Sequence, residues 1–380
     1  MCRSTPVAPD PRVERAAAML RAGGFKATII GWDRGWNLPS REEREGYQIV
    51  RIRLPAPFGQ GLRNALGVLR WQRALLAWLL EHRDRYAIIH ACDLDTALPS
   101  LLVARLFQKP IVFDIFDSYA DAYRVGSFRR PVRWLEGLVV SWSDAVIIAD
   151  EVRLDQLGGA RPRRLVVVYN SPPDVWSKWN AVRNETGKFR IAYVGLLDAT
   201  RGLFPLLDVM AQRPEWELDL AGFGVDEGRI VEQARRLPNV RFHGRVHYNQ
   251  SLRLMAEADV LVATYDPAVP NHRYASPNKL FEAMMLGKPI VVARGTHIDE
   301  LVEKHGCGIV VPYADTCALD AALGRLASDP DLRQALGRAG RRAYEAYYHW
   351  DQMEARLVSL YRELLAQGSE SGASVGADRK

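Results

Sequence analysis

The sequence predicts an α/β protein built from two doubly wound, Rossmann-like domains facing each other across a cleft, with extra helices at its carboxyl end. Three observations carry this prediction. Short apolar runs alternate with helix-length amphipathic segments along most of the chain. The runs are continuously apolar rather than alternating in and out, as parallel strands covered on both faces are. The whole rhythm occurs twice, with a Pro- and Asn-rich stretch between the two series.

Taken in order, a helix is expected at about Arg12–Ala22, followed by the strand-like runs KATIIGW, AIIHA, PIVFD, DAVIIA and RLVVVY. The opening MCRSTPVAPDP has no apolar run, so the first, central strand is expected to be truncated or missing, and translation to begin upstream of Met1. The stretch NSPPDVWSKWNAVRNETGK marks the boundary. The second series reads FRIAYVG, WELDLAG, NVRFHG, DVLVATY, PIVVA and GIVVP. The expected division is therefore residues 1–170 for the first domain, 171–188 for a linker and 189–350 for the second domain. A helix over 351–366 that can return to the first domain and a disordered polar tail over 367–380 complete it.

With 380 residues, 48% hydrophobic and 25% charged, the chain holds material for two cores and is neither disordered nor fibrous. Its four cysteines form no CxxC pair and no Cys/His cluster, so neither a metal site nor a disulfide framework is expected, and a reducing cytoplasm is the simplest home. No apolar run reaches membrane-spanning length. Charge is uneven: residues 1–170 hold 25 Lys and Arg against 18 Asp and Glu, a net of +7, which leaves −1 for the remainder. Within the basic half, Arg63–Arg85 and Ser127–Gly137 join arginines to tryptophans. Such segments fit contact with an anionic membrane surface, as a peripheral protein of its inner face would make. They fit equally well helices packed on a sheet with a solvated arginine face. Nucleic acid is not an expected partner, because no recognisable binding module accompanies the basic residues.

The stretch YASPNKLFEAMMLGKPIVVA carries the chemistry. Ser276 reads as an N-cap and Pro277 as the first helical residue, with an apolar helix of about three turns ended by Gly287 and followed by a buried strand. Lys279 falls in the first turn, where a cation opposes the helix dipole unless an anion is bound there. Glu282, three residues on, shares its face. Asp114 and Asp117 close a buried strand, where carboxylates can orient or deprotonate an acceptor hydroxyl, or merely cap the next segment. His90 and Asp93, at the end of AIIHA, are weaker candidates for the same side. GFGVDEG reads as a tight strand-to-helix turn rather than a dinucleotide fingerprint, and His243 and His247 lack ligand-like spacing.

Beyond these local readings, the chain resembles the retaining glycosyltransferases of family 4, which have two Rossmann-like domains in the GT-B architecture. The residues carrying the likeness are DPRVERAAAMLRAGGFKATIIGWDR, HACDLDTALP, VFDIFDSYAD, VVVYNSPPD, YVGLLDATRGL, VRFHGRV and SPNKLFEAMMLGKPIV. The resemblance implies a nucleotide-sugar donor held by the second domain, a saccharide or lipid-linked acceptor held by the first, and no obligatory metal or other cofactor. It implies that Glu282 holds the donor ribose. Gly195, Tyr274, Ser276, Asn278, Lys279 and Leu280 would line the donor site, and Arg201 would replace the family's phosphate-binding lysine. Three positions depart from the family pattern: Tyr274 replaces the first of two glutamates, Leu196 an arginine, and Phe116 a histidine. The expected reaction is retaining sugar transfer by front-face attack, in polysaccharide or glycolipid assembly. Arg201 and Lys279 would stabilise the leaving diphosphate, with Asp117 and Glu282 completing the catalytic set. A sugar-nucleotide epimerase and a non-catalytic nucleotide-sugar-binding partner are the alternatives.

Overall fold

The computed structural model describes residues 1–7, 10–44, 46–56, 64–122, 126–180, 182 and 187–377. The chain divides into two compact units, Met1–Tyr169 with Gln352–Lys380, and Asn170–Asp351.

The strands of the first unit are β1 (Cys2–Arg3), β2 (Ala27–Asp33), β3 (Arg41–Arg44), β4 (Tyr47–Arg53), β5 (Ile89–Cys92), β6 (Ile111–Ile115), β7 (Ala145–Ile148) and β8 (Leu165–Val167). They form one sheet in the order β3-β4-β2-β1-β5-β6-β7-β8, parallel except for β3 against β4. Ile29 and Ile30 turn to opposite faces, each joining its own apolar cluster, so the sheet is covered on both sides.

The expectation of a missing first strand is corrected. Cys2 and Arg3 sit between β2 and β5, with Cys2 opposite Ile30 on one side and Ala91 on the other. Main-chain bonds from Ile30 N–H to Met1 O at 2.8 Å and from Trp32 N–H to Thr5 O at 2.9 Å flank the pair. Two residues suffice because both neighbouring strands supply the ladder. The β3–β4 pair was not foreseen, since its polar, alternating sequence describes a half-exposed edge rather than a buried parallel strand.

The tryptophans of the Arg63–Arg85 segment belong to the fold. Trp71 is fully buried and stacks on Trp32 with ring centroids 5.4 Å apart, and Trp78 stacks on His82 at 4.2 Å. The helix Ala65–Glu81 is thus sewn to the sheet, leaving Arg70 and Arg73 exposed. In the helix Arg129–Trp142 the outcome differs: Trp134 and Trp142 are 67% and 55% exposed. The last helix runs from Trp350 to Ala377, where the sequence reading places a tail beyond residue 366. Its Met353, Leu357, Leu360 and Leu364 are buried. Among the described residues no helix is long and apolar enough to cross a membrane.

The second unit holds β9 (Arg190–Leu196), β10 (Glu217–Phe223), β11 (Val240–Phe242), β12 (Val260–Ala263), β13 (Ile290–Ala293) and β14 (Gly308–Val311). All are parallel, in the order β11-β10-β9-β12-β13-β14. Numbered within the unit this is 3-2-1-4-5-6, the doubly wound order whose direction reverses between β9 and β12. The switch point matters because loops at its carboxyl end diverge and leave room for a ligand.

Candidate functional site

The loops leaving β9 and β12 reach Lys279 in the first turn of the helix Asn278–Met285, and the loop leaving β10 packs on that of β9. Glycine makes the close approach of the β9 and β10 loops possible. A Cβ on Gly222, whose φ is +145°, would fall 1.8 Å from Gly195 O, and one on Gly195 would fall 3.4 Å from Lys279 Nζ. The loop after β9 is then fixed by hydrogen bonds. Leu197 N–H donates to Phe223 O at 2.9 Å, Ala199 N–H to Asp226 Oδ2 at 2.8 Å, and Thr200 N–H to Asp198 Oδ1 at 2.8 Å. Asp266 N–H closes it on the β12 side by donating to Thr200 O at 2.8 Å. GFGVDEG therefore forms the expected tight turn from β10 into the helix Glu227–Ala234.

The helix of the SPNK stretch begins at Asn278, with Pro277 at the N-cap and no side-chain cap bond, so Ser276 is not the cap expected of it. The helix is also shorter than expected, eight residues ending at Met285. Ser276 is buried, and its carbonyl accepts a 2.7 Å bond from Asn170 Nδ2. Leu280 is fully buried, and its N–H donates to Pro277 O at 3.2 Å. Tyr274 ends the short turn Pro270–Tyr274 and, like Asn278, is half-buried.

Lys279 is 7% exposed, and its Nζ is buried without a hydrogen-bond partner. It lies 3.5 Å from the centroid of the Tyr193 ring and 5.4 Å from that of Tyr265. Arg201 holds its guanidinium 4.2 Å from the centroid of the same Tyr265 ring. Burial drives the Lys279 amine well below its ordinary range; the Arg201 charge adds to this, and buried Glu282 opposes it. Two cations share an aromatic cage with no counter-anion bonded to the lysine. A buried ammonium without a partner is costly and is relieved by a bound anion. The cage residues Tyr193 and Tyr265 were missed in the sequence, where they look like ordinary strand aromatics. Leu196, in the family's arginine position, is 49% exposed and offers no charge.

The acceptor-side candidates lie in the first unit, at the carboxyl ends of β5 and β6, and their partners are internal. The Arg12 guanidinium meets Asp114 Oδ1 at 2.7 Å. His90 Nε2 lies 3.3 Å from Asp114 Oδ2, and its Nδ1 lies 2.7 Å from the Tyr361 hydroxyl. Burial holds His90 below its ordinary range, against the pull of Asp114. Asp93 pairs with Arg3, and its Oδ1 accepts from Phe116 N–H at 2.9 Å and Asp117 N–H at 3.3 Å. Burial pushes the Asp93 carboxyl up to about 7, against the pull of Arg3. Phe116 lies under both arginines, 4.1 Å from Arg3 and 5.0 Å from Arg12. Asp117 differs from the rest: its side chain is 45% exposed while bonded to Arg153 at 3.1 Å. The partners Arg3 and Arg12 carried no signal in the sequence.

Comparison with known proteins agrees with both halves. Residues 8–171 match the model described as glycosyl transferase 4-like domain, and residues 188–329 match that of glycosyl transferases group 1. The alpha-D-kanosaminyltransferase of Streptomyces kanamyceticus is 24% identical over 346 residues, covering 82% of this chain and 88% of the relative. The phosphatidyl-myo-inositol mannosyltransferase of Mycobacterium leprae is 26% identical over 315 residues, 77% of each. Sucrose-phosphate synthase from Thermosynechococcus elongatus superposes with a TM-score of 0.76 at 21% identity, over 96% of this chain and 98% of that one, which shows the fold. The chain belongs to the family 4 glycosyltransferases, enzymes of sugar transfer built on two Rossmann-like domains.

Proposed function

We propose that the protein transfers a sugar, with retention at the anomeric carbon, from a nucleoside-diphosphate sugar to a saccharide or lipid-linked acceptor. The observation that carries this is the buried, unpartnered Lys279 ammonium beside Arg201 at the switch point of the second sheet. In this reading the donor diphosphate is the missing anion. Arg201, Lys279 and the first amides of the Asn278–Met285 helix carry the charge that develops as the nucleoside diphosphate leaves. That supplies without a metal the electrostatic stabilisation the step needs. Glu282 accepts from the donor ribose, and Gly195 gives the sugar a backbone surface with no side chain in its way. Ser276, Asn278, Tyr274 and Leu280 complete the wall. The acceptor hydroxyl attacks from the face the diphosphate leaves, and a phosphate oxygen receives its proton.

On the acceptor side Asp117 is the carboxylate proposed to orient the attacking hydroxyl, being the half-exposed one. His90, Asp93 and Asp114 hold its loop in place. The names of the relatives, a mannosyltransferase acting on a phosphatidyl-inositol among them, support a glycolipid or small saccharide acceptor. Peripheral attachment to an anionic inner membrane face fits exposed Trp134 and Trp142 with Arg129 and Arg130 on one helix. The test is a thermal-shift screen of nucleoside diphosphates and nucleotide sugars, then product detection with lipid-linked and soluble acceptors. Stabilisation by one nucleoside diphosphate, lost in Lys279→Ala, is expected. No stabilisation by any of them would overturn the donor assignment.

A further inference from the structure

The first unit carries a cavity of about 270 Å³ at the amino ends of its strands. It lies at the opposite end of the sheet from Asp93, Asp114 and Asp117, and His90, on its floor, is the one acceptor-side candidate that it shares. Its inner wall is apolar: Leu20, Ile30, Leu79 and Ile89 are all at most 2% exposed. Phe25 and Trp78 add aromatic surface, and Tyr361 of the last helix contributes a hydroxyl already committed to His90. Lys26, Arg41 and Arg85 also line it and are exposed. None of these three cations has an ion-pair partner among the described residues. Among the described residues no aspartate or glutamate lines the cavity.

We propose that this cavity binds a compact amphipathic anion, an apolar or aromatic body bearing a single phosphate, carboxylate or sulfonate. The inference stands apart from the glycosyltransfer reading and does not rest on it. An apolar, concave wall of this size takes up a small organic body. Three like charges at the lining, with no acid to neutralise them, raise the local concentration of anions and select against cations and neutral molecules. A ligand seated there touches the turn before β2, the start of β5 and the final helix, three segments far apart in sequence.

The test uses the whole chain and two fluorescent probes of similar shape, anilinonaphthalene sulfonate, an anion, and N-phenylnaphthylamine, which is neutral. Saturable binding of the sulfonate at one site per chain is expected, at least tenfold tighter than the neutral probe and weakened by salt. The combined change Lys26→Gln, Arg41→Gln and Arg85→Gln touches only exposed side chains and should weaken the sulfonate at least tenfold while moving the neutral probe less than twofold. Ala87→Trp, at another exposed lining position, should block both probes. UDP should displace neither. Displacement by UDP, the absence of saturable sulfonate binding, or unchanged sulfonate affinity in the triple variant would each overturn the proposal, with an unaltered melting temperature confirming that the variants fold.

Discussion

The two sheets share a parallel core of one strand order, yet their carboxyl ends treat charge in opposite ways. In the first unit Arg12 meets Asp114, Arg3 meets Asp10 and Asp93, and His90 is held from both sides. In the second, Lys279 is buried with two aromatic rings for company and no acceptor. The first arrangement contributes to holding its own loops; the second stores an unfavourable charge that a ligand relieves. A buried ion pair therefore says little about binding, whereas a buried lone cation says a good deal.

The difference is sharpest when both regions are mutated. Asp114→Ala strands the Arg12 guanidinium, and the cost expected for breaking such a pair is about 3–5 kcal/mol of stability, read by denaturant unfolding. Lys279→Met should do the reverse. It removes an uncompensated charge, so the free protein should melt no lower than the parent, while nucleoside-diphosphate affinity by calorimetry should fall by about 1.5–3 kcal/mol. If Lys279→Met unfolds the protein while Asp114→Ala is silent, the contrast is wrong.

A pH experiment sharpens it further. Burial and Arg201 lower the Lys279 amine in the free protein, and a bound diphosphate should raise it again. Above the lowered value, diphosphate binding should take up protons; below it, where the amine is already charged, the uptake should vanish. Calorimetry in buffers of different ionisation enthalpy measures this directly, and Lys279→Met should abolish it. The smallest effect concerns the exposed helix of the first unit. Arg129→Gln and Arg130→Gln should each weaken binding to anionic vesicles by about 1 kcal/mol at low salt, with no effect on neutral vesicles. Co-sedimentation that ignores salt and lipid charge would leave that helix a plain solvated surface.

Much of this architecture is legible in the sequence, because parallel strands covered on both faces announce themselves as apolar runs; KATIIGW became β2 and PIVVA became β13. What escaped was whatever lacked such a run. β1 has two residues, the edge strand β3 is wholly charged, and β4 beside it alternates polar and apolar. In the second sheet, Lys279 and Glu282 stood out because local helix physics makes a first-turn lysine odd. The tyrosines that cage it come from β9 and from the loop after β12, and were silent. Two ion pairs of the first unit, Arg3 with Asp93 and Arg12 with Asp114, join residues 90 and 102 positions apart, and no local pattern encodes so distant a partner.

The last helix has one more consequence. The chain leaves the first unit at Tyr169 and returns only at Gln352, so the second unit is an insertion within the first. Val358 packs against Gly23, where an added Cβ would lie only 2.5 Å away, and Tyr361 reaches His90. On the ribosome the strands of the first sheet emerge early, yet the helix that covers them emerges after the entire insertion, roughly 10–40 s later at ordinary elongation rates. Through that interval the newborn amino-terminal half carries an uncovered apolar strip. A chain ending at Asp351 would keep its second unit whole yet leave the strip exposed for good, and is expected to become a substrate for chaperones and proteases.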